Sequence, residues 1–109
     1  MELKDRRVDF FGTKYWLRFM DHIPDNTVPG YDDASCLDGV TNHSGRFIWI
    51  ATKDCNGNKL NREEIELTVY HELVHAILMQ GQYGDLCGNE PLVEWLAKNV
   101  RSLVKQKVL

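Results

Sequence analysis

The chain has little excess charge, few cysteines and no long apolar run, and each shortage removes a class of protein. Thirteen Lys and Arg stand against sixteen Asp and Glu, a net charge of -3. No basic stripe exists beyond Asp5-Arg6-Arg7 and the Lys105-Gln106-Lys107 tail, so no nucleic-acid partner is expected. The charged stretch Met1 to Arg7 is followed by no long apolar segment, which argues against a secretory signal or a membrane anchor and leads us to expect a cytoplasmic protein. Cys36, Cys55 and Cys87 are an odd number at wide spacing. That fits neither a disulfide framework nor a Cys-x-x-Cys metal site, and free thiols in a reducing compartment are expected. No repeat, low-complexity tract or shift in composition divides the 109 residues, of which 43% are hydrophobic. The expectation is one domain over 1–109 with one modest core, so that any activity sits on the core fold itself.

What is present is a run of elements of alternating type. Gly12 to Met20 is aromatic-rich and alternates, placing Tyr15, Leu17 and Phe19 on one side of a strand. Asp21 to Asn42 is rich in Asp, Pro, Gly, Asn and Ser and reads as a long loop, with a short strand near Gly39-Val40-Thr41. Arg46 to Thr52 is a β-favouring run with apolar residues at consecutive positions, so both its faces should be covered. Asn61 followed by Glu64 has the layout of a capping box, and a helix should run from about Arg62 to about Gln80 and stop at Gly81. Its apolar residues, from Ile65 to Leu78, surround the axis, as in a helix buried on most sides. A last, amphipathic helix follows Gly88-Asn89, with Pro91 in its first turn. The sum is an α+β fold: a short sheet of about three strands packed on a central helix, with a second helix at the C-terminal end.

The central helix carries His71-Glu72-Leu73-Val74-His75. Helical residues four apart share a face, so the two imidazoles can chelate one metal ion. Imidazole suits zinc, and a catalytic zinc keeps three protein ligands and one open position for water. Glu72, beside the first ligand, can act as general base toward that water and return the proton to a leaving amine. Four His and seven Glu would give His-Glu-x-x-His in only roughly one shuffled ordering in 150. A buried helix also gains nothing from such groups unless they are paired or bind a metal.

The third ligand has to come from elsewhere, because no His follows His75 and the three-histidine metzincin pattern is thereby excluded. Glu90 and Glu94 lie four apart on the last helix and can both face the metal. We assign Glu90 as ligand, since its place in the first turn lets the preceding loop set its position. Glu94 is then the acceptor for the free ring N–H of a liganding histidine.

His71-Glu72-Leu73-Val74-His75-Ala76-Ile77-Leu78, followed by Glu90-x-x-Val93-Glu94-x-Leu96-Ala97 and preceded by Arg46-Phe47-Ile48-Trp49-Ile50, resembles the small gluzincin-type metallopeptidases (minigluzincins) of phages and mobile elements, related to the ImmA/IrrE family. The resemblance spans about Gly39 to Val104. It implies a zincin-like fold, one zinc ion per chain, and hydrolysis of a peptide bond in a protein or peptide. Its Glu-x-x-x-Asp arrangement, in which the first carboxylate binds zinc and the second orients a histidine, supports Glu90 by analogy. It also implies that the strand Phe47 to Ala51 is the edge along which an extended peptide binds. The chain lacks the appended helix-turn-helix of some family regulators, and the Asp21 to Asn42 loop has no counterpart there.

Peptide hydrolysis also needs a donor to the oxyanion, for which Tyr83, His43 and Tyr70 are candidates; Tyr83, in a Gly-flanked segment, has the best placement. Cys87, just before Glu90, is a further candidate zinc ligand, which the available carboxylates make unnecessary. His22 and His43 read as loop or surface histidines, and Trp16, Trp49 and Trp95 as core aromatics. Two rival readings accompany the peptidase: a non-catalytic module that keeps the zinc for stability while binding a protein partner, and a plain structural domain without metal. Nothing in the sequence speaks to oligomeric state.

Overall fold

The computed structural model describes residues 2–27, 34 and 36–109, and part of the expected Asp21 to Asn42 loop lies outside them. Among the described residues the architecture is α+β, a four-stranded mixed sheet with three helices. Strands β1 (Arg6–Phe10) and β2 (Thr13–Met20) form a hairpin, and β3 (Gly39–Asn42) and β4 (Phe47–Ala51) form another. β2 and β4 pair in parallel, which gives the order β1-β2-β4-β3. The strand β1 goes beyond the three expected. It follows from a two-residue turn in which Phe11 and Gly12 both take positive φ, at 52° and 94°, the geometry that matches the twist of a tight hairpin.

This order corrects one expectation directly. Phe47–Ala51 is not an edge strand, because it hydrogen-bonds to β2 on one side and β3 on the other. Its run of consecutive apolar residues led us to expect cover on both faces, but only the face of Ile48 and Ile50 is fully buried, and Phe47 and Trp49 on the other are half-buried. The outer strand on that side is β3.

Helix α1 (Arg62–Gln80) begins with the expected capping box: the Asn61 side chain accepts from Glu64 N at 2.8 Å, and Glu64 accepts from Asn61 N at 3.3 Å. It ends at Gly81, but the left-handed residue is Gln82, with φ 65°. Tyr83 N donates to Leu78 O at 2.8 Å and Gln82 N to Met79 O at 3.2 Å, so the carbonyls of the last turn are closed in a Schellman pattern without glycine at its usual place. A short helix α2 (Gly84–Cys87) follows, then α3 (Glu90–Lys105), capped by Asn89 through Leu92 N at 3.2 Å.

Two faces of α1 are buried against different partners. Ile65, Val69 and Ala76 pack on Tyr15, Leu17, Ile48 and Ile50 of the sheet. Tyr70 and Val74 pack on Val93 and Ala97 of α3. Val93 and Ala97 share the α3 face that carries Glu90 and Glu94, so the packing that docks α3 also aims both carboxylates at α1. Arg101, in contact with Glu66 at 3.3 Å and Glu63 at 3.6 Å, fastens the other end of the same interface.

The tryptophans depart from the expected core role. Tyr15 and Leu17 point to the helices and are fully buried, so Trp16 between them points to the opposite, uncovered face of the sheet, where it is 40% exposed with Arg7 at 4.7 Å from its ring. Trp49 is half-buried on that same face, stacked on Phe47 at 5.5 Å. Trp95 stands on the outer side of α3, also exposed. Among the described residues no helix is long and apolar enough to cross a membrane.

Candidate functional site

His71 and His75 sit one turn apart on the face of α1 that meets the start of α3, and their rings lie 4.9 Å apart. The Nε2 atoms are 3.2 Å from each other, and both face the Glu90 carboxylate, at 2.9 Å for His71 and 3.2 Å for His75. Ligand atoms of His71, His75 and Glu90 all fall within 4.8 Å of one another, close enough to hold a metal ion. Glu94 does not join them. Its carboxylate accepts from the other nitrogen of His71, Nδ1, at 2.8 Å, which is the supporting position expected for it.

The outer contacts decide which atoms carry protons. Glu94 is an acceptor, so His71 carries its proton on Nδ1 and turns a lone pair inward from Nε2. Cys87 donates its S–H to His75 O at 3.5 Å and receives the Nδ1–H of His75 at 3.1 Å, so His75 too turns a lone pair inward. Two imidazole lone pairs and a carboxylate then converge with no donor between them. That donor set suits a metal cation. Burial lowers the His75 pKa, only partly opposed by the Glu90 charge, and so favours the neutral, ligating form.

Glu72 lies on the inner side of the pair and is 7% exposed. The Thr41 hydroxyl reaches its Oε1 at 2.8 Å and its main-chain oxygen at 3.2 Å, fixing the side chain from β3. Burial pushes its pKa up, with the Thr41 hydrogen bond and the neighbouring His71 opposing that rise. Two adjoining clefts open on the site. One, of about 470 Å³, is lined by β3, His43, Glu72, the two histidines, Cys87 and Glu90. The other, of about 320 Å³, runs past Asp38, Gly39, Leu67 and Thr68 to Glu94.

Gly39 is required by close approach. A Cβ there would stand 2.6 Å from Thr68 Cγ2 and 3.1 Å from Glu72 Cγ, so β3 can lie against α1 only without a side chain at that position. Gly39→Ala is therefore expected to destabilise the fold by about 1–3 kcal/mol, read as a lower midpoint in urea unfolding.

Of the candidate oxyanion donors, the fold brings His43 to the cleft, not Tyr83. α1 continues past His75 to Gln80, roughly 8 Å at 1.5 Å per residue, and carries Tyr83 to the far end, where it is 58% exposed and its ring lies against Gly81. Tyr70 points into the α1–α3 interface. His43, in the β3–β4 turn, is held by Tyr15, whose hydroxyl accepts from Gln80 Nε2 at 3.0 Å and donates to His43 Nδ1 at 3.3 Å. The proton of His43 then resides on Nε2, and burial lowers its pKa and keeps the ring neutral. The sequence held no signal for this relay or for Thr41, since their partners are far apart along the chain. Comparison with known protein families, curated proteins and solved structures returned no match to this chain.

Proposed function

We propose that the protein is a zinc-dependent metallopeptidase with a small zincin-like fold of the minigluzincin kind. The observation that carries this reading is the convergence of two imidazole lone pairs and one carboxylate beside a buried glutamate in an open cleft. His71, His75 and Glu90 would hold the ion, with Glu94 and Cys87 fixing the imidazole tautomers. Zinc bound there supplies Lewis acidity toward water and toward a carbonyl oxygen. Glu72, steered by Thr41, takes the proton of the attacking water and delivers it to the amine that leaves. His43 Nε2–H, held by Tyr15, donates to the carbonyl oxygen as charge develops on it.

The substrate would be an extended peptide or protein segment. β3, not β4, is the strand whose outer edge meets the cleft through Gly39, Val40 and Thr41, so strand addition would take place there.

The test is hydrolysis of a mixed peptide pool by zinc-loaded protein, with cleavage read by mass spectrometry against Glu72→Gln. Cleavage by the native chain and none by the variant supports the proposal. Equal cleavage by both refutes it, and a zinc-loaded native chain that cuts nothing leaves the metal-stabilised binding module as the better reading. His43→Gln should lower kcat by about 10²-fold with unchanged zinc content and little change in KM. A variant with unaltered kcat would remove His43 from the mechanism.

A further inference from the structure

Gln80 closes α1 beyond His75 and lines a groove of about 740 Å³ with Phe10, Phe11 and Ile77, outside the two clefts of the metal site. It touches neither the metal ligands nor Glu72, yet it holds one end of a hydrogen-bonded chain that ends in the cleft. Its Nε2 donates to the Tyr15 hydroxyl at 3.0 Å, and that hydroxyl donates to His43 Nδ1 at 3.3 Å. Tyr15 is fully buried, with its ring edge-on to Phe10 at 5.4 Å and to His43 at 6.4 Å. Close packing on both sides keeps the hydroxyl between its two partners, and full burial keeps bulk water from replacing either.

A phenolic hydroxyl has one hydrogen to give. With Gln80 donating to its oxygen, that hydrogen goes to Nδ1, so Nδ1 is bare and the imidazole proton sits on Nε2. The other end of the ring agrees. Cys87 gives its S–H to His75 O at 3.5 Å, so toward His43 Nε2, 3.8 Å away, its sulfur can only accept. We propose that Gln80 is a positioning residue for the oxyanion donor: acting through Tyr15, it sets the tautomer of His43. A near-isosteric change at this one residue reverses the chain. In Gln80→Glu the carboxylate only accepts, so the Tyr15 hydrogen turns to it and the Tyr15 oxygen takes a proton from Nδ1. Nε2 is then bare and presents a lone pair to the substrate oxygen, which repels it. In Gln80→Met nothing at the position donates or accepts, and neither tautomer is selected. The tautomer follows from the hydrogen bonds alone, whereas its effect on hydrolysis rests on the metallopeptidase reading.

The experiment labels the histidines of the full chain with the heavy nitrogen isotope and reads their ring nitrogens by NMR, with and without zinc. The signals absent from His43→Gln belong to His43. At about pH 8, above the ordinary histidine pKa of 6.5, the ring is neutral and its proton sits on one nitrogen. The native chain should show that proton on Nε2, Gln80→Glu should show it on Nδ1, and Gln80→Met should show both forms. Gln80 is half-buried at the end of its helix, so both variants should fold, which thermal melting checks. Toward a peptide cut by the native chain, kcat should fall by about 10²-fold in Gln80→Glu, with KM and zinc content little changed. A proton on Nδ1 in the native chain, or one still on Nε2 in Gln80→Glu, would overturn the proposal. A shifted proton with unchanged kcat would overturn the role of Gln80 in hydrolysis. If the native chain cuts no peptide, the metallopeptidase reading falls, and the nitrogen spectra still decide whether Gln80 sets the tautomer.

Discussion

Glu72→Gln should lose peptide hydrolysis by on the order of 10³-fold while the metal-free protein becomes more stable near neutral pH. The two effects have one cause. Burial raises the Glu72 pKa above its ordinary value of 4.5. A carboxyl whose folded pKa lies above its unfolded value binds more protons when folded, so its favourable contribution is fully present below pH 4.5 and is lost as the pH rises through the folded pKa. Above that range the native chain holds a carboxylate where a neutral group would cost less, a strain typical of functional sites. Glutamine has the same shape, stays neutral, and keeps an oxygen for the Thr41 hydroxyl now found 2.8 Å from Oε1. Calorimetry of both chains at about pH 4 and pH 7.5, with chelator present, reads the outcome. The variant should melt higher at the upper pH, and the gap should close at the lower one. A variant that melts lower at both values would mean that the Glu72 charge is compensated in the fold, and its role as a base at the site would lose its physical basis.

Much of this site was legible because it is local. The capping box at Asn61 and Glu64, the histidines one turn apart, and the carboxylates of Glu90 and Glu94 one turn apart are all patterns within a single helix. Helical periodicity fixes which residues share a face before any tertiary contact forms. That Glu90 and Glu94 share one face of α3 follows from their spacing, whereas the choice of Glu90 for the inner position rested on its place in the first turn and on the family resemblance.

The missing parts are those set by pairings distant in sequence. The Tyr15 hydroxyl joins His43, 28 residues away, to Gln80, 65 residues away, and nothing in local pattern signals it. The interior position of Phe47–Ala51 depends on its parallel register with β2, in which Leu17 faces Ile48 and Phe19 faces Ile50. The family resemblance suggested an edge, and the apolar run suggested cover on both faces; the strand is interior by its pairing, while its Phe47 and Trp49 face is only half-buried. The tryptophans erred in the opposite way. Their spacings suggested core, but alternation along β2 placed Trp16 outward as firmly as it placed Tyr15 inward.

Zinc added to chelator-stripped protein should raise its Tm by about 10–20 °C at a hundredfold excess over Kd. Binding to the folded chain alone at that ratio stabilises by about 2.7 kcal/mol, and each kcal/mol moves the midpoint by about 4–8 °C in a domain of this size. His71→Ala, His75→Ala and Glu90→Gln each remove one of three inward atoms and should abolish most of the shift. Glu94→Gln leaves those atoms in place and loosens only the His71 ring, so it should weaken affinity by about 10–100-fold and keep the full shift at higher zinc. The pH dependence separates ligand from support further. His75 has its pKa lowered from 6.5, chiefly by burial. The unfolded chain therefore takes up its proton first as the pH falls, and the stability due to neutral His75 is complete above pH 6.5 and lost as the pH drops through the folded value. The same depression keeps the ring available to zinc below pH 6.5, so the thermal shift should persist under mildly acidic conditions in which an exposed histidine pair would release the ion. Equal loss in Glu90→Gln and Glu94→Gln at saturating zinc would mean both carboxylates bind the metal directly. A full shift in Glu90→Gln with loss in Glu94→Gln would exchange their roles, because the outer nitrogen of His71 would then have turned inward.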